Sequence, residues 1–300
     1  MVEYIGNRKG RIFMSRYVLK GKTFVITGAS GGIGFNVAKI LVEKYDCKVI
    51  GIARNEEKVL SAIKTLKRNA ENFSYQLFDV TDREKWAQFY EYLVKNEIFP
   101  DGLINTAGFM LPFARFDKYS DEEILEIVKT DFLSVCFATK TLLPLIKKSD
   151  APLLANVSSA AGICPVVGES LYCATKYAVR GFTETLIQDY KKRIYVAGIY
   201  PGFIKTNILH RMSVVDKENK LIQKLMMPAE KAAAKIVKGL SKRKKRIVMG
   251  KDGRAMSFFM RIMPNTTPSI VSSVLKRSKL ELFDEVFDYN KNNKLNEDNL

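Results

Sequence analysis

The stretch KTFVITGASGGIG, residues 22–34, decides the fold because it joins a short apolar run to a glycine-rich turn. A short apolar run bounded by a turn is typical of a buried strand. Beyond the turn, Val37, Ile40 and Leu41 recur at helical spacing, so a helix begins where the glycines end. The stretch therefore predicts a strand, a tight turn and a helix in direct succession.

The turn carries four glycines, at positions 28, 31, 32 and 34, in the spacing G-x-x-x-G-x-G. Glycine lets the backbone approach a phosphate group closely, and the helix N-terminus offers free N–H groups to that anion. A tight turn without any ligand is the alternative interpretation. Four glycines between a strand and a helix weigh against it, and we predict a phosphate-binding loop.

The alternation of strands and helices continues to about residue 250. Six further apolar runs are typical of strands: CKVIGIAR, FSYQLFDV, GLINTAG, PLLANVSS, RIYVAGIYPG and KRIVMG. Amphipathic stretches at helical spacing lie between them, at residues 56–69, 82–96, 121–147, 170–192 and 228–240. We predict an α/β fold: a doubly wound (Rossmann) seven-stranded parallel sheet with helices on both faces, plus a C-terminal helical extension.

The length and composition suit one large domain with extensions. The chain has 300 residues, 47% hydrophobic and 27% charged, the usual mixture of a globular protein. We divide it into a basic N-terminal extension (1–20), the Rossmann domain (21–250), an amphipathic C-terminal extension (251–287) and a tail (288–300). The tail, DYNKNNKLNEDNL, is strongly polar and is predicted to be disordered.

The sequence has one histidine, His210, and four cysteines, which restrict the available chemistry. A single histidine disfavours histidine-based zinc sites and Ser-His-Asp triads, and no metal site is predicted. Cys47, Cys136, Cys164 and Cys173 form no Cys-x-x-Cys pair and are typical of buried thiols in a reducing compartment. Without a long apolar run or a signal-peptide core, the chain is expected to be cytoplasmic.

The net charge of +17 is densest in KGLSKRKKRIVMGKDGR, residues 238–254. We favour a solvated basic face and leave an anionic-membrane surface open. No nucleic-acid-binding module is recognised, so a nucleic-acid partner ranks last. The apolar segment SFFMRIMP, residues 257–264, follows directly. It could rest on a membrane as a peripheral contact, or it could cover the core or a subunit interface, which we favour.

Five further motifs follow the phosphate loop in order: FDVTD, NTAG, NVSSAAG, YCATK and PGFIKT. Over residues 21 to about 250 the chain resembles the short-chain dehydrogenase/reductase family, in its branch with a single Rossmann domain. The family's loop TGxxxGIG matches TGASGGIG, and Thr106 replaces the second Asn of its NNAG motif. Ser159 lies thirteen residues before Tyr172, as in the family, and Lys176 completes YxxxK. These matches predict that Tyr172 and Lys176 act together instead of forming a surface pair.

The resemblance implies a catalytic set of Ser159, Tyr172, Lys176 and Asp131. A tyrosine hydroxyl, with a reference pKa of about 10, is a poor base at neutral pH unless a nearby ammonium favours the phenolate. Lys176 can supply that charge from the next helical turn, and Ser159 would donate a hydrogen bond to the substrate oxygen. Asp131, thirteen residues before Pro144, stands where the family usually has an Asn that supports a proton-relaying water. A carboxylate there would weaken the effect of Lys176 on Tyr172.

The resemblance also implies a nicotinamide dinucleotide. Its binding residues would be Gly28, Ser30, Gly31, Gly32, Ile33, Gly34, Arg54, Asp79, Val80, Asn105, Ala107, Gly108, Tyr172, Lys176, Pro201, Gly202, Ile204 and Thr206. A ribose 2′-OH usually meets an acidic residue at the end of the second strand, whereas an arginine accommodates a 2′-phosphate. This chain has Ala53 and Arg54 there, so NADP (NADPH) is favoured over NAD. Pairing of Arg54 with Glu56 or Glu57 is the alternative.

Apolar residues follow two of the motifs. Phe109, Met110, Leu111 and Phe113 come after NTAG, and Met212, Leu221, Leu225, Met226 and Met227 come after PGFIKT. They predict an apolar substrate lining, and packing on the core is an equal alternative. We predict an NADP(H)-dependent reductase of an apolar or lipid-like ketone, with a non-catalytic NADP-binding sensor or scaffold as the alternative. The resemblance implies a homodimer or homotetramer.

Overall fold

The computed structural model describes residues 17–206 and 226–287. Its main sheet has seven parallel strands: β1 (Thr23–Thr27), β2 (Lys48–Ala53), β3 (Phe73–Leu77), β4 (Gly102–Asn105), β5 (Leu153–Val157), β6 (Tyr195–Tyr200) and β9 (Arg246–Val248). A separate short parallel pair joins β7 (Ile204–Lys205) to β8 (Met227–Pro228). The order across the main sheet is β3-β2-β1-β4-β5-β6-β9. This is the predicted doubly wound arrangement, with a switch point between β1 and β4.

Helices cover both faces of the sheet, as predicted. They are α1 (Gly32–Tyr45), α2 (Glu56–Ile63), α3 (Arg83–Lys95), α4 (Asp121–Val128), α5 (Ser134–Ile146), α6 (Ser170–Asp189), α7 (Ala229–Ser241), α8 (Lys251–Ile262), α9 (Thr267–Arg277) and α10 (Asp284–Phe287). The apolar stripes of α1 and α7 pack on one face. Those of α3, α5 and α6 pack on the other face.

Strand β1 shows why its sequence is apolar without interruption. Phe24 and Ile26 belong to the core beneath α1 and α7, whereas Val25 belongs to the core beneath α3, α5 and α6. Successive side chains of a strand point to opposite faces, and all three are fully buried. A central parallel strand covered on both faces therefore needs an apolar residue at every position.

The packed part of the domain begins by residue 17, ahead of the predicted boundary at residue 21. Tyr17 and Leu19 are buried in the core beneath α1 and α7. The backbone N–H of Tyr17 donates to the carbonyl of Ser241 at 2.9 Å, and its hydroxyl donates to the carbonyl of Ala151. The segment before β1 therefore ties the end of α7 to the start of β5.

The long helix predicted over residues 121–147 is interrupted by a π-helical turn at Lys129–Leu133. The hydroxyl of Ser134 donates to the carbonyl of Thr130 at 2.5 Å, where the regular helix resumes. A π-helical turn adds one residue and rotates the side chains beyond it, and such turns are frequent at functional sites. Periodicity does not reveal the turn because the apolar stripes on either side of it stay intact. Asp131 lies at its centre and is fully buried.

The C-terminal helices α8, α9 and α10 pack over the loops that follow β4 and β5. The rings of Phe113 and Phe283 meet with centroids 4.7 Å apart, and Arg115 Nε donates to the carbonyl of Val286 at 3.2 Å. Tyr172 packs against the same apolar cluster. The predicted C-terminal extension is thus a helical layer over one end of the domain. Among the described helices, none combines the length and the apolarity that crossing a membrane requires.

Candidate active site

A cavity of about 400 Å³ lies at the carboxyl ends of β1, β2, β4, β5 and β6. Ligands of doubly wound sheets bind at this edge. The phosphate loop, Ser159 and Tyr172 line one continuous space. All but one of the predicted cofactor-binding residues line it: Gly28, Ser30, Gly31, Gly32, Ile33, Gly34, Arg54, Asp79, Val80, Ala107, Gly108, Tyr172, Lys176, Pro201, Gly202, Ile204 and Thr206.

Two glycines of the phosphate loop, Gly28 and Gly34, leave no room for a side chain. A Cβ on Gly34 would overlap the carbonyl oxygen of Gly28 and the hydroxyl of Thr106. Gly28 has a φ of +67°, which other residues rarely adopt, and a Cβ there would lie 3.0 Å from the Ala107 backbone. The Thr106 hydroxyl donates to the carbonyl of Thr27, and its N–H donates to Thr27 Oγ1 at 3.0 Å. The threonine that replaces the family's second asparagine therefore ties NTAG to the loop.

The N-terminus of α1 fits the phosphates of a dinucleotide. No side chain caps this end at Gly31, and the first turn contains no acidic residue. The unsatisfied N–H groups and the positive end of the helix dipole there favour an anion. The glycine turn lets the chain approach that anion closely.

Two cations line the far end of the cavity, beyond β2. Arg54 and Lys58 are both exposed. Arg54 Nη1 lies 3.3 Å from Asp79 Oδ2. Glu56 instead accepts the hydroxyl of Tyr75 at 2.8 Å. In the structure, Arg54 therefore pairs with Asp79 and not with Glu56.

Helix α6 carries Tyr172 and Lys176 to the cavity, one turn apart. The Tyr172 hydroxyl lies beside Ser159, which follows β5, and its interaction with Ser159 lowers its pKa. Lys176 Nζ lies 5.3 Å from the centroid of the Tyr172 ring. The hydroxyl of Ser158 donates to the Lys176 carbonyl at 2.7 Å and fastens the end of β5 to α6. Lys176 is buried and Tyr172 is half-buried, so the two do not form a surface pair.

Asp131 forms an ion pair with Lys176 inside the protein and does not line the cavity. Its Oδ2 lies 2.8 Å from Nζ, and its Oδ1 accepts the N–H of Phe109 at 2.8 Å. Gly108 leaves space for the pair, since a Cβ there would lie 3.1 Å from both partners. Burial raises the pKa of Asp131, and the Lys176 ammonium and the Phe109 N–H oppose that rise. The two short contacts favour the charged pair.

The Tyr172 hydroxyl stays protonated at neutral pH. Burial of this hydroxyl raises its pKa well above the usual value, and the Asp131 and Glu169 carboxyls raise it further, whereas the hydrogen bond with Ser159 lowers it. A protonated hydroxyl beside the reacting atoms is an acid that can give its proton to a developing alkoxide.

Asn105 is the predicted cofactor residue that does not line the cavity. Its Nδ2 donates to Asn156 Oδ1 at 2.9 Å, and Asn156 Nδ2 donates to Thr183 Oγ1 at 3.0 Å. All three side chains are buried and connect β4, β5 and α6. The contact of Asn105 with the cofactor stays a prediction.

The structure places some of the predicted apolar residues in the cavity and others in the packing around it. Phe109 and Met110 line the cavity, whereas Leu111 and Phe113 are buried in the packing around it. Met226 is buried in the same cluster as Tyr172. The candidates Met212, Leu221 and Leu225 lie outside the described residues, and Met227 starts β8.

The cavity residues that sequence reasoning missed include four with polar or adaptable side chains: Lys58, Glu169, Asp252 and Met256. Asp252 Oδ2 accepts the N–H of Phe203 at 2.7 Å, which fixes the loop after β6. Asp252 and Met256 belong to α8, and no spacing rule places that helix at the cavity. Glu169 lies directly before α6 and three residues before Tyr172. Its nearness to a predicted catalytic residue could have marked it as a candidate.

The fold and the cavity define a nicotinamide-dependent oxidoreductase. A family model described as short chain dehydrogenase matches residues 22–216. The chain therefore belongs to the short-chain dehydrogenase family, as the motifs predicted, and it is an enzyme that acts on CH–OH groups.

Similar proteins agree with this assignment. The oxidoreductase SadH of Mycobacterium tuberculosis is 30% identical over 264 residues, which cover 85% of this chain and 95% of SadH. The NADP-dependent 3-hydroxy acid dehydrogenase of Schizosaccharomyces pombe is 33% identical over 195 residues, which cover 64% and 74%. A short-chain dehydrogenase structure from Shigella flexneri, complexed with NADP, is 26% identical with a TM-score of 0.66 and covers 80% and 95%. These similarities favour the enzyme over a non-catalytic scaffold.

Proposed function

We propose that the protein is an NADPH-dependent reductase that converts an apolar ketone to a secondary alcohol. The observation that carries the proposal is that Ser159, Tyr172 and Lys176 line one cavity, with Lys176 Nζ 5.3 Å from the centroid of the Tyr172 ring. Reduction needs a proton donor beside the carbonyl oxygen, whereas oxidation of an alcohol needs a base. A tyrosine hydroxyl is protonated at neutral pH, which fits the donor role.

Each residue of the site has its own role in the proposed reaction. When bound, the nicotinamide supplies the hydride. Ser159 Oγ accepts the N–H of Ala161 at 3.1 Å, and its single proton would turn to the substrate oxygen when a ketone is bound. Tyr172 gives its proton to that oxygen as negative charge develops. The Lys176 ammonium stands beside the tyrosine and stabilises the phenolate that remains. Asp131 is a positioning residue that holds Lys176.

An apolar substrate fits the inner end of the cavity. The side chains that pack around Tyr172 there are Phe109, Met110, Val166, Phe203 and Met256. A lining of this kind favours apolar ligands held by a few polar groups. Methionine side chains adapt their shape to the ligand.

NADPH oxidation by the purified enzyme, measured with methyl ketones of increasing chain length, tests the proposed function. We expect kcat/KM to rise by up to about threefold per added methylene until the cavity is full. The same sample is titrated with NADPH to establish that the cofactor binds. Bound NADPH without turnover of any ketone contradicts the proposal, and turnover that ignores chain length contradicts the apolar substrate.

The preference for NADP rests on Arg54 and Lys58 at the end of the cavity beyond β2. Ala53 and Arg54 occupy the position at which an acidic residue would meet a ribose 2′-OH. The relative from S. pombe is named NADP-dependent, which supports the same preference. A 2′-phosphate would replace Asp79 as the partner of Arg54.

We expect Arg54→Ala to lower kcat/KM for NADPH by about tenfold and to leave the value for NADH nearly unchanged. A hydrogen bond between two charged groups contributes about 1.5–3 kcal/mol, and exposure of Arg54 reduces this. Lys64→Ala, at an exposed position just after α2, is the matched control. Equal losses with both cofactors would mean that Arg54 does not read the 2′-phosphate.

We also propose a peripheral membrane contact through a basic apolar face on α8 and α9. The face consists of exposed apolar residues on the two helices and the turn between them: Phe258, Phe259, Ile262, Met263, Ile270 and Val274. Phe258 and Val274 are 59% and 61% exposed, and an exposed apolar patch of several side chains often marks an interaction site. The other side of this layer lies against the site, since Met256 lines the cavity and Leu275 packs against the cluster around Tyr172.

The charges around this face favour an anionic lipid surface over a second copy of the chain. Residues 253–280 contain five basic residues and no acidic residue: Arg254, Arg261, Lys276, Arg277 and Lys279. All five are exposed. Two copies of such a face would repel each other, whereas each cation near an anionic membrane contributes about 1 kcal/mol. A membrane contact here would place the cavity beside a store of apolar substrates.

Sedimentation with phosphatidylglycerol vesicles tests the membrane contact. We expect Phe258→Ser/Ile262→Ser to weaken binding by at least about tenfold, because each large apolar side chain contributes about 1.5–3 kcal/mol when buried. Arg261→Ala should weaken it by about fivefold. Val94→Ser, at an exposed position on α3, is the control. Binding to neutral vesicles alone, or concentration-dependent dimers that the double variant abolishes, would contradict the proposal.

The oligomer and the compartment stay predictions. A homodimer or homotetramer through α4, α5 and α6 follows from family membership. A cytoplasmic location is supported by the four unpaired cysteines.

A further inference from the structure

Glu169 is a buried carboxyl in the cavity that the mechanism above does not use. Its side chain lines the cavity and is 5% exposed. Its Oε1 has no hydrogen-bond partner among the described residues. Glu169 stands at the N-terminus of α6, yet its side chain does not cap the helix. A buried polar group without a partner is costly, so it calls for an explanation.

The turn before α6 holds Glu169 in this position. Gly168 has a φ of +80°, and a Cβ there would contact Val286 Cγ2 and lie 3.4 Å from Phe113. The turn is therefore closely packed against the C-terminal layer. Glu169 precedes Tyr172 by three residues, so about 4.5 Å along the helix axis separates their Cα atoms.

The surroundings of Glu169 offer no charged partner in the described part of the chain. The titratable side chains that sense its charge are Tyr119, Tyr172 and Cys173, and none of them is a cation. The Tyr119 hydroxyl is engaged with the carbonyls of Pro112 and Gly168. Burial raises the pKa of Glu169 to about 8, so it is mainly a neutral carboxylic acid at neutral pH. A neutral acid both donates and accepts one hydrogen bond.

We propose that Glu169 is a specificity-determining residue that hydrogen-bonds a hydroxyl group of the substrate, so that the preferred substrates are apolar hydroxy ketones. A hydroxyl both donates and accepts, which matches a neutral carboxylic acid. Glu169 and Tyr172 both line the cavity, so one bound substrate can reach both side chains. The inference rests on the proposed ketone reduction and names its substrate class.

An unpartnered buried acid also rejects substrates that cannot satisfy it. A site built around a polar group discriminates against the analogue that lacks the matching group because the buried partner then stays unpaired. Wild-type enzyme should therefore prefer a correctly placed hydroxy ketone over its parent ketone by about 10–100-fold in kcat/KM.

The test compares parent alkanones with hydroxyalkanones whose hydroxyl is moved one carbon at a time away from the carbonyl. NADPH oxidation is measured for wild type, Glu169→Gln, Glu169→Leu and the control Glu184→Gln. Glu184 lies on α6, is more exposed, and does not line the cavity. We expect a maximum at one hydroxyl position in wild type and Glu184→Gln, a reduced maximum in Glu169→Gln, and none in Glu169→Leu. Glu169→Leu should reduce the parent ketones at least as fast as wild type.

Two results would contradict the proposed role of Glu169. Turnover with the same hydroxy-to-parent ratio in wild type and Glu169→Leu overturns it, and so does a parallel loss for all ketones, which marks a structural role. Thermal unfolding of Glu169→Leu provides a second readout, because replacing an unpartnered buried acid with an apolar residue should not lower the melting temperature. If wild type binds NADPH but reduces no ketone at all, the proposed function fails, and this inference fails with it.

Discussion

Tyr172→Phe is expected to lower kcat/KM for ketone reduction by about 10²–10⁴-fold while NADPH binding stays unchanged. The change removes only the hydroxyl that would donate the proton. The ring remains, so the cavity wall and the contact with the Lys176 ammonium, 5.3 Å from the ring centroid, are preserved. The variant therefore separates proton transfer from cofactor binding. NADPH oxidation measures the first, and a fluorescence titration with NADPH measures the second.

Tyr177→Phe is the matched control because Tyr177 lies on the same helix and does not line the cavity. Its hydroxyl donates to the carbonyl of Ile163 at 2.7 Å, so this variant loses a hydroxyl and a hydrogen bond of about 1 kcal/mol. We expect its kcat/KM to stay within about twofold of wild type. Full turnover in Tyr172→Phe would mean that another group supplies the proton. A loss of NADPH binding in that variant would mean that the tyrosine holds the cofactor instead.

The parts of the site that could be predicted from the sequence are those that one short segment contains. The phosphate loop needs a strand, four glycines and a helix within 22–34, and local sterics fix their relation. Tyr172 and Lys176 share a helix, so their spacing fixes their relation as well. The seven parallel strands could also be predicted, because a strand that is buried on both faces of a sheet needs a continuous apolar run.

The features of the site that could not be predicted from the sequence depend on contacts between distant segments. The Asp131–Lys176 ion pair needs a π-helical turn and a glycine at position 108, and neither changes the apolar pattern. Asn105 sits in a motif, yet its side chain turns to Asn156 because β4 and β5 are neighbours. Met256 reaches the cavity only because the C-terminal layer folds back over it.

Asp131→Asn is expected to move the pH dependence of both reaction directions to lower pH. The variant keeps the shape of the side chain and removes its charge. Burial raises the pKa of Tyr172 most, and the Asp131 carboxylate raises it next, so without that charge this pKa falls. The Lys176 ammonium, 2.8 Å from the carboxylate in wild type, then acts on Tyr172 without compensation and lowers its pKa further.

The sign of the effect differs between the two directions. Reduction needs the protonated hydroxyl, so its rate declines as pH rises through the pKa, and in Asp131→Asn the decline begins at lower pH. Oxidation of the alcohol needs the phenolate, so its rate rises through the same pKa, and the rise also begins at lower pH. Initial rates in both directions between about pH 6 and 11 measure both limbs. Limbs that stay where they are in wild type would contradict this role for Asp131.

The same substitution is expected to lower the free energy of unfolding by about 3–5 kcal/mol, because Lys176 stays buried without its counter-charge. Urea denaturation measures this, and Glu184→Gln, which breaks half-exposed pairs with Arg180 and Arg246, should cost less than about 1 kcal/mol. The free energy of unfolding and the pH dependence together test whether Asp131 is charged in wild type. If Asp131 were neutral in wild type, asparagine would be a nearly equivalent replacement, and neither the stability nor the pH limbs would move. A stability loss together with a downward shift of both limbs therefore requires a charged pair, and it identifies the Asp131 carboxylate as one of the causes, after burial, of the raised pKa of Tyr172.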